Sequence, residues 1–247
     1  MTLRALRRAV ALVFALLLCV VRYWLLRVRG PLTMEQRGQW GHACGKPIMA
    51  ALGIKCGVVG KAPAGGLVVS NHLSHLDILI YGNALPCFFV SKAEVAGWPF
   101  FGWMSRTGGT IYLDRGSRAS AQQVAAKMEE RLTGPLAVVL FPEGTSTDGS
   151  KVLRFHSRLF EPAIASGAPV TAASVRYILS DGTPERELCW FGDEPFMPHL
   201  WKTLGTAGFS AEVTFGEPRV YTDRRTAAAQ TQEEIEAMRA GGVLTVQ

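Results

Sequence analysis

The sequence predicts an α/β protein: a largely parallel sheet flanked by helices, carrying an N-terminal membrane-anchoring helix or helical hairpin. Three observations lead there. From residue 67 onward, short apolar runs alternate with helical patterns, as in a sheet layered with helices. Leu136, Ala137, Val138, Val139, Leu140 and Phe141 show no polar alternation, as expected of a strand buried on both faces. Residues 9–21 form an unbroken apolar run of 13, extended past Arg22 by Tyr23, Trp24, Leu25 and Leu26.

That first run falls short of the about 20 apolar residues a full span requires, so it reads as a marginal transmembrane helix. A signal peptide shares its basic start and apolar centre. However, no small-x-small cleavage site follows, and Leu18 before Cys19 is too bulky for a lipoprotein site. Tyr23 and Trp24 beside Arg22, Arg27 and Arg29 fit an interfacial anchor with snorkelling arginines. Arginines flank the run on both sides, so the positive-inside rule gives no orientation. Gly30-Pro31 ends the helix. A second helix is expected over residues 34–52, either as the return arm of a hairpin or packed on the domain. Five glycines between 53 and 66 surround a short strand at Val58-Val59.

Further strands are expected at 67–70, 88–90, 109–114, 136–141, 169–175 and 211–215. One helix follows the histidine-bearing segment through Tyr81. Another runs over 120–132, with Val124, Met128 and Leu132 at i, i+4 and i+8 before Gly134. A short one lies near 162–166, and a mostly solvated one closes the chain at 226–240. The organisation is therefore an anchoring segment at 1–52, an α/β domain at 53–225 and a terminal helix and tail at 226–247.

With 48% hydrophobic and 19% charged residues, the chain can bury a sizeable core and is not globally disordered. Its formal charge of +6 calls for an anionic partner. Seven arginines precede residue 40 with no acid before Glu35, which points to an anionic membrane surface and away from nucleic acid. The five cysteines are scattered without a C-x-x-C pair, against a disulfide framework or zinc site and for a reducing compartment.

Three segments carry candidate chemistry. In Asn71-His72-Leu73-Ser74-His75-Leu76-Asp77, a strand-to-helix turn lets a histidine at the strand end meet an aspartate in the first helical turn. Such a carboxylate fixes the imidazole tautomer and raises its basicity, as a general base requires. The plainer alternative is a helix cap. A metal reading of His72, His75 and Asp77 lacks the spacing of zinc helices. Phe141-Pro142-Glu143-Gly144-Thr145-Ser146 follows the buried strand, so in a parallel sheet it shares the carboxyl-end rim with His72. Its plainer reading is a polar turn. Finally, Arg115 and Arg118 follow Gly109-Thr110-Ile111-Tyr112-Leu113-Asp114, and arginine forks suit phosphate or carboxylate. Their alternative is a solvated helix start. No G-x-S-x-G elbow, G-x-G-x-x-G or Walker loop is present.

The order and spacing of these blocks, followed by Pro169-Val170, resembles the glycerolipid acyltransferase family typified by lysophosphatidic acid acyltransferases. Asn71, His72, Ser74 and Asp77 match its N-H-x-S-x-x-D block; Gly109, Ile111 and Arg115 match its second block, with Tyr112 for Phe. Phe141, Pro142, Glu143, Gly144 and Thr145 match its F-P-E-G-T block. The family's next residue, an arginine assigned to the acceptor phosphate, is Ser146 here. Arg115, Arg118, Lys151, Arg154 or Arg158 could replace it. The resemblance implies acyl transfer from acyl-CoA or acyl carrier protein to a lysophospholipid hydroxyl, chiefly 1-acyl-sn-glycerol-3-phosphate, with lyso-ornithine lipid as the alternative acceptor. It assigns His72 and Asp77 to catalysis. Asn71, Ser74, Gly109, Arg115, Glu143, Gly144 and Thr145 are assigned to substrate binding. Backbone N–H groups near the His72 turn would form the oxyanion site. The resemblance implies no metal or organic cofactor, and places the catalytic domain at the cytoplasmic face of the inner membrane. The non-enzymatic rival is a peripheral membrane-binding protein with vestigial motifs, whose function would be indifferent to His72→Ala.

Overall fold

The computed structural model describes residues 3–114 and 118–241. Two helices open the chain, α1 (Leu3–Arg27) and α2 (Met34–Leu52). Thr33 starts α2 with a capping box, its hydroxyl accepting from the Gln36 amide while the Gln36 side chain accepts from the Thr33 amide. Gly53 ends α2 in the left-handed conformation, at φ +74°, that such a cap requires. The helices form an antiparallel hairpin: Trp40 Nε1 donates to the Cys19 carbonyl at 3.0 Å and Arg22 Nη1 to that of Ala43 at 2.6 Å. The return arm α2 also packs on the domain, against α3, β1 and β3. Tyr23 and Trp24, the aromatic pair of the expected anchor, point to different surroundings. Tyr23 lies half-buried among Trp40 and Trp103, at ring separations of 5.8 and 5.5 Å, while Trp24 is exposed.

The body is one seven-stranded sheet: β1 (Ile54–Val59), β2 (Leu67–Ser70), β3 (Cys87–Lys92), β4 (Ile111–Leu113), β5 (Ala137–Leu140), β6 (Val170–Leu179) and β7 (Phe209–Phe215). Their spatial order is β1-β7-β6-β2-β5-β3-β4. Neighbours run parallel throughout except β6 and β7, so the sheet is mixed but largely parallel. The remaining helices are α3 (Leu76–Ala84), α4 (Phe101–Thr107), α5 (Arg118–Leu132), α6 (Glu161–Ser166), α7 (Phe196–Gly205) and α8 (Arg224–Ala240).

Side chains alternate across the central strands, as the period of two demands. Val68, Val139 and Val175 face a core shared with α1, α2, α3 and α7. Leu67, Val69, Val138 and Leu140 face a second core closed by α5, α6 and α8. The terminal helix is thus amphipathic, with Ala227, Ala228, Thr231 and Ile235 buried.

Lengths matter more than order for the site. Strand β2 spans four residues and β6 ten, in parallel register from Leu67 beside Val170 to Ser70 beside Ala173. Beyond Ser70 the chain leaves the sheet while β6 continues, so the upper half of β6 stands beside the loop that carries His72.

Candidate active site

The loop between β2 and α3 is tied down at almost every residue. Asn71 is buried and grips the overhanging part of β6 with both ends of its amide. Its Nδ2 donates to the Val175 carbonyl at 3.0 Å, and its Oδ1 accepts from the Val175 amide at 2.9 Å. Two residues further along β6, the Tyr177 hydroxyl donates a short hydrogen bond to Asp77 Oδ1. Asp77 Oδ2 accepts from three groups: His72 Nδ1 at 2.8 Å, the Leu73 amide at 2.7 Å and the Ser74 amide at 3.1 Å. Asp77 thus pins the loop that precedes its own helix and holds the histidine, while the N-cap position, His75, makes no side-chain cap hydrogen bond.

Strand β5 supplies the other wall. Val69 pairs with Leu140, which sets Phe141 and Glu143 beside His72. The His72 ring stacks on Phe141 at 4.1 Å and an interplanar angle of 17°. Glu143 Oε1 accepts from the His72 amide at 2.8 Å and Oε2 from the Leu153 amide at 2.9 Å. The Thr147 amide donates to the His72 carbonyl at 2.9 Å. Burial pushes the Glu143 carboxyl up to about 7, a rise moderated by the Leu153 and His72 amides. With Nδ1 on Asp77, His72 presents its Nε2 side to a cavity of about 870 Å³.

That cavity has predominantly apolar walls. Ile48 and Leu52 come from α2, Leu79 from α3, Phe89 from β3, Met104 from α4 and Leu200 from α7. Leu12 of α1 also reaches it. His72, Gly144, Thr145, Ser146, His156 and Arg158 are among its lining residues, as is Lys92.

These positions sort the expected site residues. Gly144 and Thr145 line the cavity with His72. Asn71, Ser74, Glu143 and Gly109 are not among the residues that line it. Asn71 and Glu143 have their polar atoms occupied by backbone, and Ser74 Oγ accepts from the Leu76 amide at 3.3 Å. Gly109 turns at φ +85°, where an added Cβ would stand 3.0 Å from the Phe88 ring. Arg115 lies outside the described residues. In the His72 turn, the amides of His72, Leu73 and Ser74 donate to Glu143 and Asp77. His75 packs edge-on against Trp190, Phe196 and His199, and among the described residues no metal-holding cluster forms. Tyr177, Val175 and Arg158 complete the site from outside the recognised blocks. Only Arg158 carried a sequence signal, as one of five cations able to replace the missing arginine.

Comparison with known proteins agrees with this geometry. The Acyltransferase family profile matches residues 58–176. A lyso-ornithine lipid O-acyltransferase of Pseudomonas aeruginosa is 33% identical over 191 residues, covering 76% of this chain and 73% of that protein. A 1-acyl-sn-glycerol-3-phosphate acyltransferase of Neisseria gonorrhoeae is 29% identical over 233 residues, covering 90% of this chain and 91% of that protein. The crystal structure of the 1-acyl-sn-glycerophosphate (LPA) acyltransferase from Thermotoga maritima superposes with a TM-score of 0.68. That match covers 96% of this chain and 97% of the other at 18% identity, so it speaks to the fold. With the matched blocks gathered at one sheet rim above an apolar cavity, the chain belongs to the acyltransferase family and is an O-acyltransferase.

Proposed function

We propose that this enzyme acylates the free hydroxyl of a lysophospholipid, chiefly 1-acyl-sn-glycerol-3-phosphate, drawing the acyl group from acyl-CoA or acyl carrier protein. The observation that carries the reading is the His72 ring. Its Nδ1 is held by a buried carboxylate at 2.8 Å, and its other edge faces a cavity roomy and apolar enough for a lipid chain. An Nδ1–H committed to Asp77 leaves Nε2 as the acceptor. His72 Nε2 takes the hydroxyl proton as the oxygen attacks the thioester carbonyl, and the imidazolium returns that proton to the departing thiolate. The thioester is already activated, so no acyl-enzyme forms. The amides of Thr145 and Ser146, on the cavity wall, are the donors we assign to the tetrahedral oxyanion.

Arg158 and His156 take over the headgroup role that the family gives to the arginine replaced by Ser146. Both line the cavity because the chain after β5 folds back, the His156 amide donating to the Pro142 carbonyl at 2.9 Å. Lys151 and Arg154 do not line the cavity. The enzyme is placed at the inner membrane with its catalytic domain toward the cytoplasm, held by α1 and by the arginines around it on an anionic surface. A second acceptor, lyso-ornithine lipid, is favoured by Ser146 and by the Pseudomonas aeruginosa relative.

Thioester release by detergent-solubilised enzyme, with each acceptor and each donor in turn, tests the reading. His72→Ala should lower turnover at least about a hundredfold, as loss of a general base does. Unchanged turnover in that variant would sink the mechanism. Arg158→Ala should raise KM for the phosphate-bearing acceptor about tenfold, with kcat nearly unchanged.

A further inference from the structure

His75 has no part in the chemistry just described, yet its ring lines the same cavity three residues after His72. Around it the wall is aromatic, with Trp190 at 5.3 Å and Phe196 at 4.7 Å between ring centroids. Neither ring nitrogen is exposed, and neither has a hydrogen-bond partner among the described residues. Its neighbour His199, at 5.0 Å, donates from Nε2 to the Leu188 carbonyl at 3.1 Å, and its own Nδ1 is likewise unpartnered. A buried polar group without a partner is costly, and natural interiors rarely keep one unless something pairs with it. Burial, with His199 and His72 nearby, lowers the His75 pKa well below the ordinary histidine value, so the ring is neutral. A neutral imidazole offers one donor and one acceptor. Because the ring holds no hydrogen bond, a half-turn about its Cβ–Cγ bond swaps nitrogen and carbon positions without breaking one. A nitrogen can then face the cavity.

We infer that His75, backed by His199, is a specificity-determining residue that reads the carbonyl beside the acceptor's reacting hydroxyl. The inference rests on the lysolipid reading above. It adds that the enzyme recognises the linkage of the chain already present on the acceptor. A hydroxyl delivered to His72 Nε2 leaves its neighbouring substituent in the same cavity, whose wall includes His75. In a lyso-lipid that substituent is an ester or an amide, and either carbonyl accepts from the imidazole N–H. An ether linkage offers no carbonyl and a neutral ring gains little from it.

The test uses the full-length enzyme in detergent with three acceptors: 1-acyl-glycerol-3-phosphate (ester), its 1-O-alkyl counterpart (ether) and lyso-ornithine lipid (amide). His75→Phe keeps the aromatic packing and removes both nitrogens, while His75→Gln keeps a donor and an acceptor. We expect His75→Phe to lower kcat/KM about tenfold on carbonyl-bearing acceptors, the worth of one hydrogen bond, and less than about twofold on the ether. His75→Gln should recover part of the loss. An equal loss on all acceptors, or none on any, would overturn the inference while leaving acyl transfer to lyso-lipids standing. Wild-type enzyme inactive on every lyso-lipid would instead overturn the proposed function and this inference with it.

Discussion

Both oxygens of Asp77 are engaged, Oδ1 by Tyr177 and Oδ2 by three donors. Four donors surround a fully buried carboxylate, and only one of them belongs to the reacting histidine. The carboxylate therefore has little freedom to turn with the imidazole during proton transfer, which favours fixed orientation over motion. Removing the Tyr177 hydroxyl isolates this effect. Tyr177→Phe should cost about 1–3 kcal/mol of stability, because a buried carboxylate oxygen loses its partner. It should also lower kcat several-fold with KM unchanged, read from denaturation midpoints and steady-state kinetics. If kcat holds while stability falls, Tyr177 supports the fold alone. The pairing of His72 with Asp77 was legible in the sequence because both ends lie within five residues and one turn. Tyr177 and Val175 were not, since they meet the loop across about a hundred residues of chain and only the sheet register brings them there.

At the scale of elements, unequal strand lengths position the site. The sequence reading ended β6 near Val175, and the four residues beyond it include the one that completes the Asp77 shell. The short helices α4 and α7 also escaped the reading. The first has only seven residues. The second carries Pro198 in its first turn, where proline breaks no hydrogen bond yet looks like a stop signal. The segment after β5 shows what a matched block can conceal: its glutamate fastens two backbone amides, which no spacing rule distinguishes from substrate contact. Its raised carboxyl gives a measurable sign. The folded state keeps this proton up to about 7, whereas an unfolded glutamate releases it near 4.5. Stability from this group is therefore full below 4.5 and is lost as pH rises to about 7, by up to about 3 kcal/mol. Glu143→Gln does not titrate, so its denaturation midpoint should decline less than that of wild type over that interval. Parallel declines would assign the slope to another group.

At the scale of the whole molecule, α1 stands apart. It is 25 residues long, about 37 Å at the usual rise, and its 18-residue apolar window is only 17% buried. Val13 and Leu17 project from the open face, whereas Ala5, Leu12, Ala15 and Cys19 face inward. The double variant Val13→Asp, Leu17→Asp should leave the fold intact and release the protein from membranes in sedimentation assays, with turnover on detergent-dispersed acceptor retained. Persistent sedimentation would place the attachment elsewhere.

The α1–α2 hairpin is also part of the cavity, because Leu12, Ile48 and Leu52 are at once hairpin and cavity wall. An attached enzyme of this design would meet its acceptor by lateral diffusion. The encounter frequency then follows how many acceptor molecules share each patch of bilayer, and bulk dilution of the vesicles becomes nearly irrelevant. Rates should collapse onto one curve when plotted against acceptor mole fraction, so that inert lipid acts as a diluent while added buffer does not.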